Sequence, residues 1–137
     1  MRKSLYIILL SIVAVLTLSS LGCSRYSHNG KIDGYWQIST ITYKGSNEIS
    51  TPKTLFICIQ IELLQLDNPA PSPKRTGVIS YDKKADILSV DFRNGPTDEE
   101  LYPFGFTANP CVLKVVSATG SKMVLESDIA TIECRKF

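Results

Sequence analysis

The chain is poor in the residues that most enzymes and metalloproteins use. Among 137 residues it has one histidine and one tryptophan. The histidine, His28, lies in a polar stretch, Ser24 to Lys31, where it reads as a solvated spacer rather than a ligand or base. No Gly-x-Ser-x-Gly and no glycine-rich phosphate loop occurs. The cysteine spacings match no zinc pattern. Carboxylates are left as the obvious acid–base groups. The consecutive Asp98, Glu99 and Glu100 sit where a helix would start, and helix polarity alone accounts for acids there. A non-enzymatic protein without cofactor or metal is expected. An excess of charge is missing as well. The first 22 residues hold two of the 15 Lys/Arg and none of the 13 Asp/Glu, so the remainder is balanced. Composition therefore gives no case for nucleic acid as a partner.

What is present begins with an address. Arg2 and Lys3 precede an apolar run from Leu5 to Leu18, shorter than the ~20 residues that span a bilayer and suited to a signal-peptide core. Small residues lead to Gly22-Cys23. This resembles the bacterial lipobox, in which the cysteine receives diacylglycerol and becomes the mature N-terminus. Ser20 at −3 and Leu21 at −2 depart from its commonest form. The alternative is ordinary cleavage after Ser20-x-Gly22, which would leave Cys23 as a thiol. The expectation is a signal peptide over 1–22, a lipidated N-terminus and tether over 23–31, and one domain over 32–137. Neither an aspartate nor an acidic run follows Cys23. The expected location is thus the outer membrane, anchored by palmitate-type lipid and facing the periplasm.

Cys58, Cys111 and Cys134 would share that oxidising compartment. Three cannot all pair. All lie in apolar strand-like runs, and buried small hydrophobes are favoured over a disulfide.

From Ile32 the chain reads as strands and turns. Gly34 to Tyr43 is rich in β-branched and aromatic residues, with Trp36 and Ile38 on one face. Lys44 to Asn47 is a turn. Thr54 to Leu66 alternates Ile57, Ile59, Ile61 and Leu63 with Cys58, Gln60, Glu62 and Leu64, and reads as one long strand containing a bulge or bend. Asp67 to Lys74, with three prolines, must be a loop, a rigid connector rather than a recognition motif. Thr76–Tyr81 and Ala85–Phe92 form a hairpin. Thr97 looks like an N-cap before the three acids. The apolar Leu101 to Phe106 should form a lid or plug over one end of the sheet, either closing the core or binding through Tyr102, Phe104 and Phe106. Three strands, over 111–117, 122–127 and 129–137, finish the chain. Some seven or eight consecutive antiparallel strands with one short helix hide their edges best by closing into a barrel.

Gly34-Tyr35-Trp36 at the start of the first strand resembles the Gly-x-Trp of lipocalins. In that family an arginine near the end of the last strand packs on the tryptophan, and Arg135 is the matching residue. The whole chain after the leader is similar to small lipocalin-like lipoproteins of Bacteroidetes. The similarity lies in Asp33-Gly34-Tyr35-Trp36, Leu63 to Leu66, Leu101 to Gly105 and Ser121 to Leu125. It implies an all-β, lipocalin-like meander barrel in which Gly34, Trp36 and Arg135 are structural. Two functions follow as expectations: a membrane-anchored barrel holding a small apolar ligand, or a module docking another envelope protein. Large inward side chains point to a filled interior, since about eight strands leave room for side chains or one small ligand.

Overall fold

The computed structural model describes residues 2–20, 28–68, 75–92, 95–107 and 110–137, and the side chains of the helical residues 2–13. Cys23 and the proline loop over 69–74 lie outside the described residues. Arg2–Ser20 forms helix α1, an apolar run with no Gly or Pro to break it. Among the described residues, no helix is long and apolar enough to cross a membrane.

The domain is a closed antiparallel barrel. Its strands are β1 (Gly34–Tyr43), β2 (Ile49–Ser50), β3 (Phe56–Gln60), β4 (Leu63–Asp67), β5 (Arg75–Asp82), β6 (Ile87–Phe92), β7 (Cys111–Ala118), β8 (Lys122–Glu126) and β9 (Ala130–Lys136). From β3 to β9 each strand pairs with the next, and β9 returns to β1. Eight strands close the ring, and β2 is an extra short strand on β1 opposite Ile41 and Thr42. A register shift between Ile38 and Thr40 lets β1 turn the corner of the barrel. It also resets the alternation, so that Trp36 and Ile38 point inward below the shift and Ile41 and Tyr43 above it.

One expectation is corrected. The run over 54–66 is not a single strand but a tight hairpin, with Gln60 opposite Leu63 and Ile61-Glu62 as its turn. The reversal explains why Ile57 and Ile59 are buried with Leu64 and Leu66, while Ile61 and Leu63 are exposed. Ile61 takes a positive φ of 56°, which for a β-branched residue is a strained conformation.

Helix α2 (Asp98–Leu101) starts at Thr97 as expected. The Thr97 hydroxyl accepts from the Glu100 amide, and the Glu100 carboxylate accepts from the Thr97 amide. A 3₁₀ turn, Tyr102–Phe104, follows and ends at Gly105, whose φ is 78°. A Cβ on Gly105 would lie 2.8 Å from Ile132 Cγ1 and 3.2 Å from Ile41 Cγ2. Glycine is therefore required both for the left-handed turn and for close packing on the barrel.

Candidate functional site: a filled barrel plugged at one end

The two ends of the barrel differ. At the end where β1 begins, Trp36 is fully buried and its indole N–H donates to the Ile32 carbonyl at 2.8 Å. Ile32 ends a 3₁₀ turn, Gly30–Ile32, that runs across this opening. Asn29 secures the turn. Its side-chain amide donates to Asp33 Oδ1 and to the Ile61 carbonyl, both at 2.7 Å, and its backbone N–H donates to Asp33 Oδ2.

The partner of Trp36 is Lys136, not Arg135. Lys136 Nζ lies 4.6 Å from the indole centroid and donates to the Asp33 carbonyl at 2.7 Å. The reason is strand parity: Trp36 pairs with Lys136, whereas Arg135 pairs with Gln37. Ala130, Ile132 and Cys134 face inward, so the next residue on that side is Lys136. Arg135 points out, where its Nε donates to Gln37 Oε1 at 2.7 Å. Gly34 matters here for space. A Cβ on it would lie 2.3 Å from Lys136 Nζ and 2.7 Å from Cε. Its φ of 138° also disfavours other residues.

At the other end, α2 and its 3₁₀ extension form the plug. Leu101, Phe104 and Phe106 are buried, whereas Tyr102 is 48% exposed. Tyr102 stacks on Tyr43 with centroids 4.6 Å apart. The Tyr43 hydroxyl donates to the Tyr102 carbonyl at 2.7 Å. Burial, followed by the nearby Tyr102 phenol, pushes the Tyr43 hydroxyl above its ordinary pKa. The buried Ser127 hydroxyl donates to the Gly105 carbonyl at 2.6 Å and accepts from the Ala130 amide. The three residues expected to bind a ligand are thus split. Phe104 and Phe106 are part of the core, with Phe106 tilted against Phe92 at 6.3 Å, and only Tyr102 meets solvent. Tyr43, on β1, and Ser127, in the turn between β8 and β9, hold the plug and carry no sequence signal that marks them out.

Between the two ends the barrel is occupied. Trp36, Ile38, Ile57, Leu64, Leu88, Phe92, Phe106, Met123 and Leu125 are all at most 2% exposed. Two concave spaces lie on the outer wall of the barrel. One of about 730 Å³ is lined by Cys58, the β3–β4 turn, Gln65, Thr76 and Val78, on the outer face of β3 to β5. Another, of about 490 Å³, adjoins it beside Tyr35 and Ile61. Tyr35, Phe56 and Phe137 form an aromatic cluster on the same wall, with centroids 5.1 to 5.7 Å apart.

Cys58, Cys111 and Cys134 are thiols. Cys111 and Cys134 are buried, and burial pushes the Cys134 thiol up to about 12. Such thiols are poor nucleophiles, as only the thiolate reacts readily. Among the described residues no group of three His, Cys, Asp or Glu could hold a metal ion.

The model of the lipocalin-like domain family matches residues 15–137. The chain belongs to that family. Its fold is shared with a lipocalin-like protein from Bacteroides uniformis, at 19% identity and a TM-score of 0.65, over 79% of this chain and all of that one. An uncharacterized protein from Bacteroides eggerthii is similar at 17% identity and a TM-score of 0.59, over 77% of this chain and 98% of that one. No curated protein matches. Lipocalin-like domains are in general binding folds rather than catalytic ones.

Proposed function

We propose that this lipocalin-like chain is a cell-envelope lipoprotein, anchored through Cys23, that works as a non-enzymatic interaction module and not as a carrier. The filled interior carries the reading. Phe92 and Phe106 meet beneath the plug, Trp36 closes the other end, and each is at most 2% exposed. A carrier of the same size needs a cup. The alternative, a small apolar ligand held near Tyr102, Phe104 and Phe106, would require the plug to leave the core. That would break the Ser127–Gly105 and Tyr43–Tyr102 hydrogen bonds together.

The anchor rests on the Gly22-Cys23 lipobox and the apolar leader before it. The expected destination is the periplasmic face of the outer membrane. Two or more acyl chains hold a protein on a bilayer stably, whereas one does not. Palmitate labelling and fractionation of Cys23→Ala test the anchor. The variant should lose the label and leave the membrane fraction, and a variant that still sediments and labels contradicts it. Protease added to intact cells should leave the wild-type domain uncut. Extraction of the purified lipoprotein, followed by mass spectrometry, tests the module. Only the covalent lipid should be found, and a stoichiometric free apolar molecule would restore the carrier.

A further inference from the structure

The geometry points to the β3–β4 hairpin tip as a surface that rests on the phospholipid bilayer, orienting the barrel with its plugged end away from the membrane. The inference depends on anchoring through Cys23.

The tip is built against local preference. A two-residue hairpin turn with positive φ at its first position favours Gly, Asn or Asp. Here that position is Ile61, with a φ of 56°. Its side chain returns nothing to the core, being 57% exposed, and the neighbouring Leu63 is 49% exposed. Residues held in such strained conformations cluster at functional sites. Phe137, 72% exposed, lies at the same end, where its N–H donates to the Tyr35 carbonyl.

Chain length supplies the occupant. Asn29 donates directly to the Ile61 carbonyl. Asn29 is six positions after Cys23, a reach of about 20 Å even when fully extended. An anchored chain therefore keeps this end beside the bilayer, and at so high an effective concentration a weak apolar contact is enough to orient the domain. Charge agrees. Lys31, Lys83, Lys84, Lys122 and Lys136 are exposed at this end, against Asp33, Glu62, Asp82 and Asp86. Among the described residues, the plug end carries Glu48, Asp98, Glu99, Glu100, Glu126 and Asp128, and Lys44 and Arg75 there are paired with Glu126 and Glu100. The weakly basic end suits anionic headgroups, and the acidic end would be repelled by them. The Glu62 carboxylate, between the two apolar residues, would stay at headgroup level.

The test uses the intact lipoprotein in phosphatidylethanolamine–phosphatidylglycerol vesicles. A nitrobenzoxadiazole probe is attached at Ile61→Cys, and separately at Leu63→Cys and Tyr102→Cys, each with Cys58→Ser. Doxyl-labelled phosphatidylcholine should quench the probe at 61 and at 63 roughly twofold or more, with a blue shift, as expected for side chains at the headgroup–acyl boundary. The probe at 102 should be unaffected. Blue-shifted Trp36 emission certifies folding, and palmitate labelling certifies the anchor. Equal quenching at both ends, or none at 61 and 63, with anchor and fold intact overturns the proposal and leaves the tip to a protein partner. Loss of the palmitate label overturns the anchoring reading and the inference with it.

Discussion

Lys136 holds its ammonium 4.6 Å from the centroid of the Trp36 indole, and Gly34 provides the room for it. The indole is fully buried with its N–H bonded, so Trp36→Ala should cost ~3–5 kcal/mol. Lys136→Ala should cost ~0.5–1 kcal/mol, the range for a cation–π contact at an exposed site. Arg135→Ala should fall within about 0.5 kcal/mol of wild type, as surface changes usually do. Denaturant titration monitored at the single tryptophan measures all three, and an Arg135→Ala effect larger than that of Lys136→Ala would contradict the assignment.

The plug gives a second ordering. Phe106→Ala should cost ~3–5 kcal/mol as a core truncation. Tyr102→Ala should cost ~0.5–1.5 kcal/mol, the worth of an aromatic stack. Ser127→Ala strands the Gly105 carbonyl and should cost ~1–3 kcal/mol. Thermal unfolding checks the order. If Phe106 were poised for a ligand, its removal would be nearly silent.

The Cys134 thiol contributes to the loss of stability at alkaline pH. Cys134 has an ordinary value of 9.0 and is pushed up to about 12 in the fold, first by burial and then by the Glu133 charge. Above pH 9 the unfolded chain releases a proton that the native state retains, so stability falls as pH rises from about 9 to about 12. Below that window the contribution is complete. Cys134→Ala should flatten this part of the pH–stability curve. In the native protein at neutral pH, a thiol reagent should modify the half-buried Cys58 and spare Cys111 and Cys134.

Much of the barrel was legible in the sequence because its strands alternate and its turns carry ordinary turn residues. Lys44 to Asn47 and Asp82 to Lys84 are examples. Thr97, followed by the acids Asp98, Glu99 and Glu100, marks the start of α2. The β3–β4 reversal was hidden, since Ile61-Glu62 contains no Gly, Asn or Pro and continues the apolar alternation. Family resemblance points to Arg135, although the inward Cys134 fixes the parity that selects Lys136. The bulge in β1 and the two-residue β2 depend on barrel closure and have no local signal. The plug is visible in the sequence as the apolar run Leu101 to Phe106, but its burial depends on Ser127 and Tyr43, which lie far away along the chain.

A titration of the folded domain with 1-N-phenylnaphthylamine tests the central claim, that the barrel is filled, most directly. The account predicts no saturable rise in probe fluorescence, and Trp36 emission that stays blue and unquenched throughout. Saturable, stoichiometric uptake that is abolished by Phe104→Ser with Phe106→Ser, while Trp36 remains blue-shifted, would contradict it and make the domain a carrier.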